Sequence, residues 1–301
     1  MKNILKISVL CLLPFFTQAQ TFTLFNFYFY KNIQKIGPLS EKTLVVKEHE
    51  YKKKELNKFN KKGVLDKKMK ALKAKNDKLL KIVKENWKYN KNIVLSSTFS
   101  EDVEYQKSDK FIYLDVKKIR ESKKHNVGED DEYTESHNTE LLRIKGKRKL
   151  LNIHSKWKYK FNDLELSSAL KYLQKGFEAS DKQIKGEFFP NYINKNASKI
   201  KNKILLIPNN TTILSSEQIQ ELYGFNVKKV SHAEILNKIA SKSTKHVYYL
   251  PQYIAGSFGN RFNHLIYSCE NQEPIAIIEG NKKHHDNLLD KTLKKLHELV
   301  K

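Results

Sequence analysis

The sequence predicts an α/β fold built as two tandem related units, each running strand, helix, strand, helix, strand, hairpin, helix. Three observations carry this. Short β-branched runs alternate with segments of helical period, the signature of strands and helices layered on one another. The same order of elements occurs twice along the 301 residues. A chain that is 39% hydrophobic and 11% aromatic can also bury a substantial core. The units fall at 43–177 and 203–301. The stretch 178–202 between them, with Gly186 and Pro190 and little periodicity, reads as a linker.

The apolar runs TLVV at 43–46 and KILLI at 203–207 open the two units as buried strands. A long helix follows in the first unit, where Leu65, Met69, Leu72, Leu79, Val83 and Trp87 step along one face. In the second unit the helix is short, beginning at Ser216 and carrying Ile219, Leu222 and Tyr223. WKYNKNIVLS from Trp87 and YGFNVKKVSH from Tyr223 align as a helix end turning into a second strand. Thr98 with Glu101, and Ser231 with Glu234, have the spacing of a capping box. A third strand is expected at 110–116 and at 246–252, then hairpins over 140–153 and 264–278.

The closing helices carry the strongest internal match. Apolar residues at 166, 170, 173 and 177 fall on those at 289, 293, 296 and 300, a spacing of four, three and four that lies on one helical stripe. Asp163 falls on Asp286, placing an aspartate at each helix start, where its oxygen can accept from the first amides.

The leading residues read as an address. Lys2 and Lys6 precede the short apolar core Ile7–Phe16, and Thr17, Gln18 and Ala19 precede an expected cleavage before Gln20. Residues 1–19 are thus an expected signal peptide, and no membrane span is expected after its removal. Cys11 lies inside the apolar core behind Leu10, which does not fit a lipidation site. Cleavage removes Lys2 and Lys6 and leaves +22 of the formal +24 charge. It also leaves Cys269 as the lone cysteine, so no internal disulfide is possible. Residues 20–42 form an aromatic leader whose stretch TFTLFNFYFY is strongly strand-prone.

Two insertions distinguish the first unit. Residues 51–90 hold fifteen lysines against four acids, half of the mature charge. Lys67, Lys68, Lys70, Lys73, Lys75 and Lys78 are the expected binding surface for an anionic partner. The second insertion, 117–139, contains the run GEDDE with Asp130, Asp131 and Glu132 and reads as a mobile acidic loop lacking the ligand spacing of a calcium hairpin.

The adjacent His284 and His285 with Asp286 form a candidate metal group, weighed against helix capping and a solvated surface. Joined by His264 they would form the site of an exported hydrolase, a rival to a binding protein. Ser257, His264 and Asp286 make a triad only on paper. AGSFGN at 255–260 lacks dinucleotide-binding spacing, and no motif for a cofactor, a P-loop or a zinc protease is present, so no cofactor is expected. Arginine occurs only at 120, 143, 148 and 261 and no nucleic-acid motif appears, which argues against nucleic acid.

The apolar strand ILLIP at 204–208, two helices and a strand leading into the hairpin HLIYSCENQEPIAII resemble the amino-terminal α/β domain of TolB translocation proteins and the related curli-secretion-channel core. The turn ENQEP departs from that family in lacking its usual glycine. More broadly, the chain resembles exported proteins of AT-rich Bacteroidota. The resemblance implies a non-enzymatic interaction domain in the periplasm or cell envelope of a Gram-negative bacterium and no particular ligand; the expected partner, an envelope protein or anionic envelope surface, follows from export and the lysine-rich helix. The resemblance also leaves room for a structural part of an envelope assembly docked through residues 21–30.

Overall fold

A computed structural model of the chain describes residues 40–98, 110–126, 132–145, 150–154, 160–184, 189–254, 261–279 and 290–301. The fold is α/β, as the alternation predicts. β1 (Thr43–Val46) pairs in parallel with β2 (Ile93–Leu95) on one side and β3 (Phe111–Asn126) on the other. β4 (Glu132–Lys145) and β5 (Leu150–His154) then add antiparallel. In the second half β6 (Ile204–Pro208) pairs in parallel with β7 (Val227–Val230) and β8 (His246–Ile254). β9 (Arg261–Ser268) and β10 (Pro274–Glu279) extend the sheet antiparallel. Strand for strand, the pairing order of the second half is that of the first.

The two halves do not keep separate sheets. The end of β8 leaves β6 and pairs with β5 through Ile153↔Ile254 and His154↔Tyr253, which joins all ten strands into one sheet. The helix that closes the first half, α3 (Asp163–Asp181), shows why a common body results. Leu166, Leu170, Leu173 and Phe177 are buried, as their spacing requires, in one cluster with Leu79 and Val83 of α2 (Leu65–Asn86), with Trp87 that caps its end, and with Leu44, Ile112 and Leu114 of the sheet. Other sides of α3 are buried as well. It packs on β8 and β10, where Ser168 Oγ lies 2.9 Å from the Tyr248 hydroxyl and the Asn263 amide donates to Tyr172 at 3.2 Å. Apolar residues of both halves therefore belong to a single cluster, including Leu206, Tyr248, Leu265 and Tyr267 from the second.

The opposite face of the second half has its own cover. Leu205, Ile207, Val247 and Tyr249 cluster with Ile219 and Tyr223 of α5 (Ser216–Tyr223) and with Leu293, Leu296 and Val300 of α7 (Asp290–Val300). Between β7 and β8 lies α6 (His232–Ala240). Its Ser231 cap accepts from the Glu234 amide, as the spacing predicts, and its Ile235 joins the first cluster.

Several expectations are corrected. The stretch 178–202 is not a bare linker: α3 runs to Asp181, α4 spans Phe189–Asn194, a 3-10 helix spans Ala197–Asn202, and Phe189, Ile193, Ala197 and Ile200 are buried. The cap of α3 is Asn162, whose side chain accepts from the Glu165 amide at 2.9 Å, while Asp163 is the first helical residue and pairs with Lys78.

The expected acidic loop 117–139 is largely strand, since β3 and β4 stay in register out to Asn126↔Glu132. Pairing of β3 with β1 stops at Leu114 and of β4 with β5 at Leu141. Beyond those points the two strands pair only with each other among the described residues, as a ribbon with no sheet on either side. Such a ribbon needs no apolar alternation, and opposite charges occupy facing register positions instead, as at Lys118↔Glu140.

Candidate functional site

The lysine-rich insertion is two helices, not one. α1 (Lys53–Lys61) ends at a turn where Gly63 adopts φ +63°, and α2 follows from Leu65. The left-handed conformation suits a residue without a Cβ and stops the helix. No residue from 53 to 75 is buried, whereas Asn76, Leu79, Val83 and Asn86 of α2 are. The helical hairpin therefore forms an arm that leaves the body at Asn76.

The arm is firmly rooted. The Asn76 side chain accepts from the His49 amide at 2.9 Å and donates to the His49 carbonyl at 3.1 Å, closing a peptide-like pair between α2 and the segment after β1. Beside it the buried Glu140 carboxylate takes the Phe161 amide at 3.2 Å and lies 3.6 Å from the Lys75 ammonium. Lys78 reaches Asp163 at 2.8 Å. Partial desolvation at the foot of the arm lowers the Lys75 pKa, and the Glu140 carboxylate works in the opposite direction. Burial together with the neighbouring Lys75 charge likewise lowers the His49 pKa.

These contacts divide the six lysines singled out from sequence. Lys73 is tied to Asp77 at 2.7 Å, Lys75 to Glu140 and Lys78 to Asp163. Lys68 sits 5.8 Å from the centre of the Phe59 ring and helps close the hairpin. Lys67 and Lys70 are exposed. The concentrated basic face lies one helix earlier. Lys54, Lys58 and Lys62 recur at intervals of four, Lys53, Asn57 and Lys61 form the adjoining row, and all six residues line an open depression of about 710 Å³. Leu56 and Phe59, both half-buried, fall on the other side of α1, and Phe59 meets Tyr51 edge-on at 4.9 Å. The signal was available in the sequence as lysines spaced by four. It was obscured because the apolar stripe that draws the eye belongs to α2.

The histidines divide in a different way. His284, His285 and Asp286 lie outside the described residues, as do Ser257, the AGSFGN loop and the 21–30 leader. Among the described residues no group of three metal-ligating side chains occurs. His264 is buried on β9, with Nδ1 2.7 Å from the Tyr249 hydroxyl and Nε2 3.3 Å from Thr292 Oγ1. Burial lowers its pKa to about 3, so the ring is neutral near pH 7. A ring held at both nitrogens between two strands and α7 acts as a packing element. His297, on α7, lies with Nδ1 2.8 Å from the Tyr223 carbonyl and stacks on Phe225, closing the end of α5 over Gly224. Cys269 is buried, and desolvation pushes its thiol up to about 12, which suppresses thiolate formation.

Among the described residues no helix is long and apolar enough to cross a membrane. In comparisons with known proteins, no family model matches this sequence, and neither a curated protein nor a solved structure matches the chain.

Proposed function

We propose that this chain is an exported, envelope-associated binding protein that docks on an anionic membrane surface through the lysine face of α1. The observation that carries the reading is the arm itself. Residues 51–75 hold eleven lysines against two acids, none of residues 53–75 is buried, and five lysines share one face of a short helix. No carboxylate among the described residues pairs with Lys53, Lys54, Lys58, Lys61 or Lys62. Lysine presents a point charge without the planar fork of arginine, which suits a field of phosphate headgroups better than readout of one defined partner. The expected signal peptide of residues 1–19 and the resemblance to TolB-type domains support an envelope location for that surface.

Juxtaposed lysines contribute about 1 kcal/mol each at an anionic membrane surface, and the attraction decays within a Debye length. Pelleting of the full chain with phosphatidylglycerol-containing vesicles is therefore expected at low salt, with loss at high salt and no pelleting with purely zwitterionic vesicles. The triple variant Lys54→Gln/Lys58→Gln/Lys62→Gln is expected to bind roughly ten- to a hundredfold more weakly. Equal binding by the variant sinks the reading. Salt-resistant capture of an envelope protein would instead favour a defined protein partner.

A further inference from the structure

A second concentration of charge lies far from the arm in sequence, where α3 ends and α4 begins. Three ammonium groups surround the half-buried ring of Tyr192 on α4: Lys195 at 4.9 Å from the ring centre, and Lys175 and Lys182 each at 5.5 Å. Lys182 also donates to the Tyr192 hydroxyl at 3.1 Å. One of the three is neutralised in place. Lys175 lies 3.1 Å from Glu178 and 3.7 Å from Glu273. No carboxylate among the described residues pairs with Lys182 or Lys195, although both are exposed. Attraction to the ring contributes only about 0.5–1 kcal/mol per cation, so it does not neutralise two like charges held beside one half-buried ring.

We propose that Lys182, Lys195 and the Tyr192 hydroxyl form a binding site for a phosphate monoester group. The Tyr192 oxygen accepts from Lys182 and keeps its own proton to donate. Two cations and one neutral donor therefore gather around one ring, matching a dianion with three acceptor oxygens. A soluble phosphomonoester and a phosphatidic acid headgroup share this chemistry. The site uses none of the arm residues and stands whether or not the arm binds membranes.

The test is isothermal titration of the full chain with glycerol phosphate at low salt. Lys182→Gln/Lys195→Gln is expected to weaken binding by about tenfold or more, the equivalent of at least ~1.4 kcal/mol. Tyr192→Phe is expected to weaken it by a smaller factor, and the arm variant Lys54→Gln/Lys58→Gln/Lys62→Gln to leave it unchanged. Both substituted lysines are exposed, so the thermal midpoint of the double variant should match that of the parent. Unchanged affinity in the double variant, or an equal loss in the arm variant, overturns the proposal. Vesicles containing phosphatidic acid then separate the sources. Parallel loss of vesicle binding in the double variant assigns the headgroup, and retention assigns the soluble ester.

Discussion

The two halves of the sheet share a pairing order and differ in what hangs from it. In residues 203–301 the chain passes from β6 to α5 through a short loop, and β8 and β9 pair along their described length from Val247↔Ser268 to Ile254↔Arg261. In the first half the same two passages carry the helical arm and the β3–β4 ribbon. Both additions stand outside the core. The arm contributes no buried residue before Asn76, and the ribbon loses its sheet neighbours beyond Leu114 and Leu141. Elaboration at loops leaves the buried register untouched, which is why it can carry extreme charge at little cost to folding. A second difference concerns the closing helices. α7 buries Thr292, Leu293, Leu296 and Val300, whereas α3 is buried on most sides because both halves of the sheet pack on it.

That asymmetry gives the largest expected effect. Leu170→Ala on α3 and Leu296→Ala on α7 remove the same atoms from fully buried sites. Each should cost about 2–5 kcal/mol, with the α3 variant at the upper end because neighbours on two sides restrict collapse of the cavity. The continuous cluster predicts one cooperative transition for the parent and for both variants, followed by circular dichroism and tryptophan fluorescence in denaturant. Two separated transitions would show that the halves fold independently despite their common sheet.

Acid sensitivity should sort by half as well. With Leu44↔Ile112 set on Leu206↔Tyr248, the rung Pro251↔His264 of the second half corresponds to Asp115↔Arg143 in the first, an ion pair in place of a buried imidazole. The His264 pKa falls to about 3 in the folded protein from an ordinary 6.5. Between those values the unfolded chain binds more protons, so stability is fully present above about pH 6.5 and declines as pH falls towards 3. The decline approaches ~1.4 kcal/mol per pH unit inside that window. His264→Leu should flatten this part of the stability profile while lowering stability at pH 7, because the Tyr249 hydroxyl loses its partner. An unchanged slope in the variant would mean that another group governs acid unfolding.

The comparison also explains what could be read from sequence. The four-three-four stripe of α3, the part of its counterpart at 293, 296 and 300 on α7 (residue 289 lies outside the described residues), the parallel strand runs and the Ser231 cap depend on local period and short-range hydrogen bonds, so they were legible. The joining of the sheet was not. It rests on two rungs between residues about a hundred positions apart, Ile153↔Ile254 and His154↔Tyr253, and no local pattern encodes it. The additional buried sides of α3 were hidden because Ser167, Ser168 and Gln174 are polar and are tolerated inside only through their hydrogen bonds. Phe189, Ile193, Ala197 and Ile200 were passed over as linker because Pro190 and the flanking charges mask their spacing. For the candidate site, total charge was legible and its direction was not. Ion pairs withdraw three lysines of α2: Lys73–Asp77 is a local pair at i,i+4 spacing, but those of Lys75 with Glu140 and Lys78 with Asp163 depend on where the chain folds. The Tyr192 cluster joins α3 to α4 across a stretch read as linker, so no linear pattern announced it.

Smaller effects test whether the arm is mechanically separate from the body. Asn76→Ala removes both hydrogen bonds to the His49 backbone at the root and should cost about 1–3 kcal/mol globally, since partly buried backbone groups lose their partners. Gly63→Ala acts at the tip. The new Cβ would meet no atom within 4 Å, so the cost comes only from forcing alanine to φ +63°, about 1 kcal/mol. Because nothing in residues 53–75 is buried, that cost should stay within the arm. Hydrogen exchange should show faster opening of α1 amides, unchanged protection of α2 from Asn76 onward, and a global midpoint equal to that of the parent. A lowered global midpoint from Gly63→Ala alone would show that the arm and the core fold as one unit, and that the lysine face is fixed by the body instead of by its own hairpin.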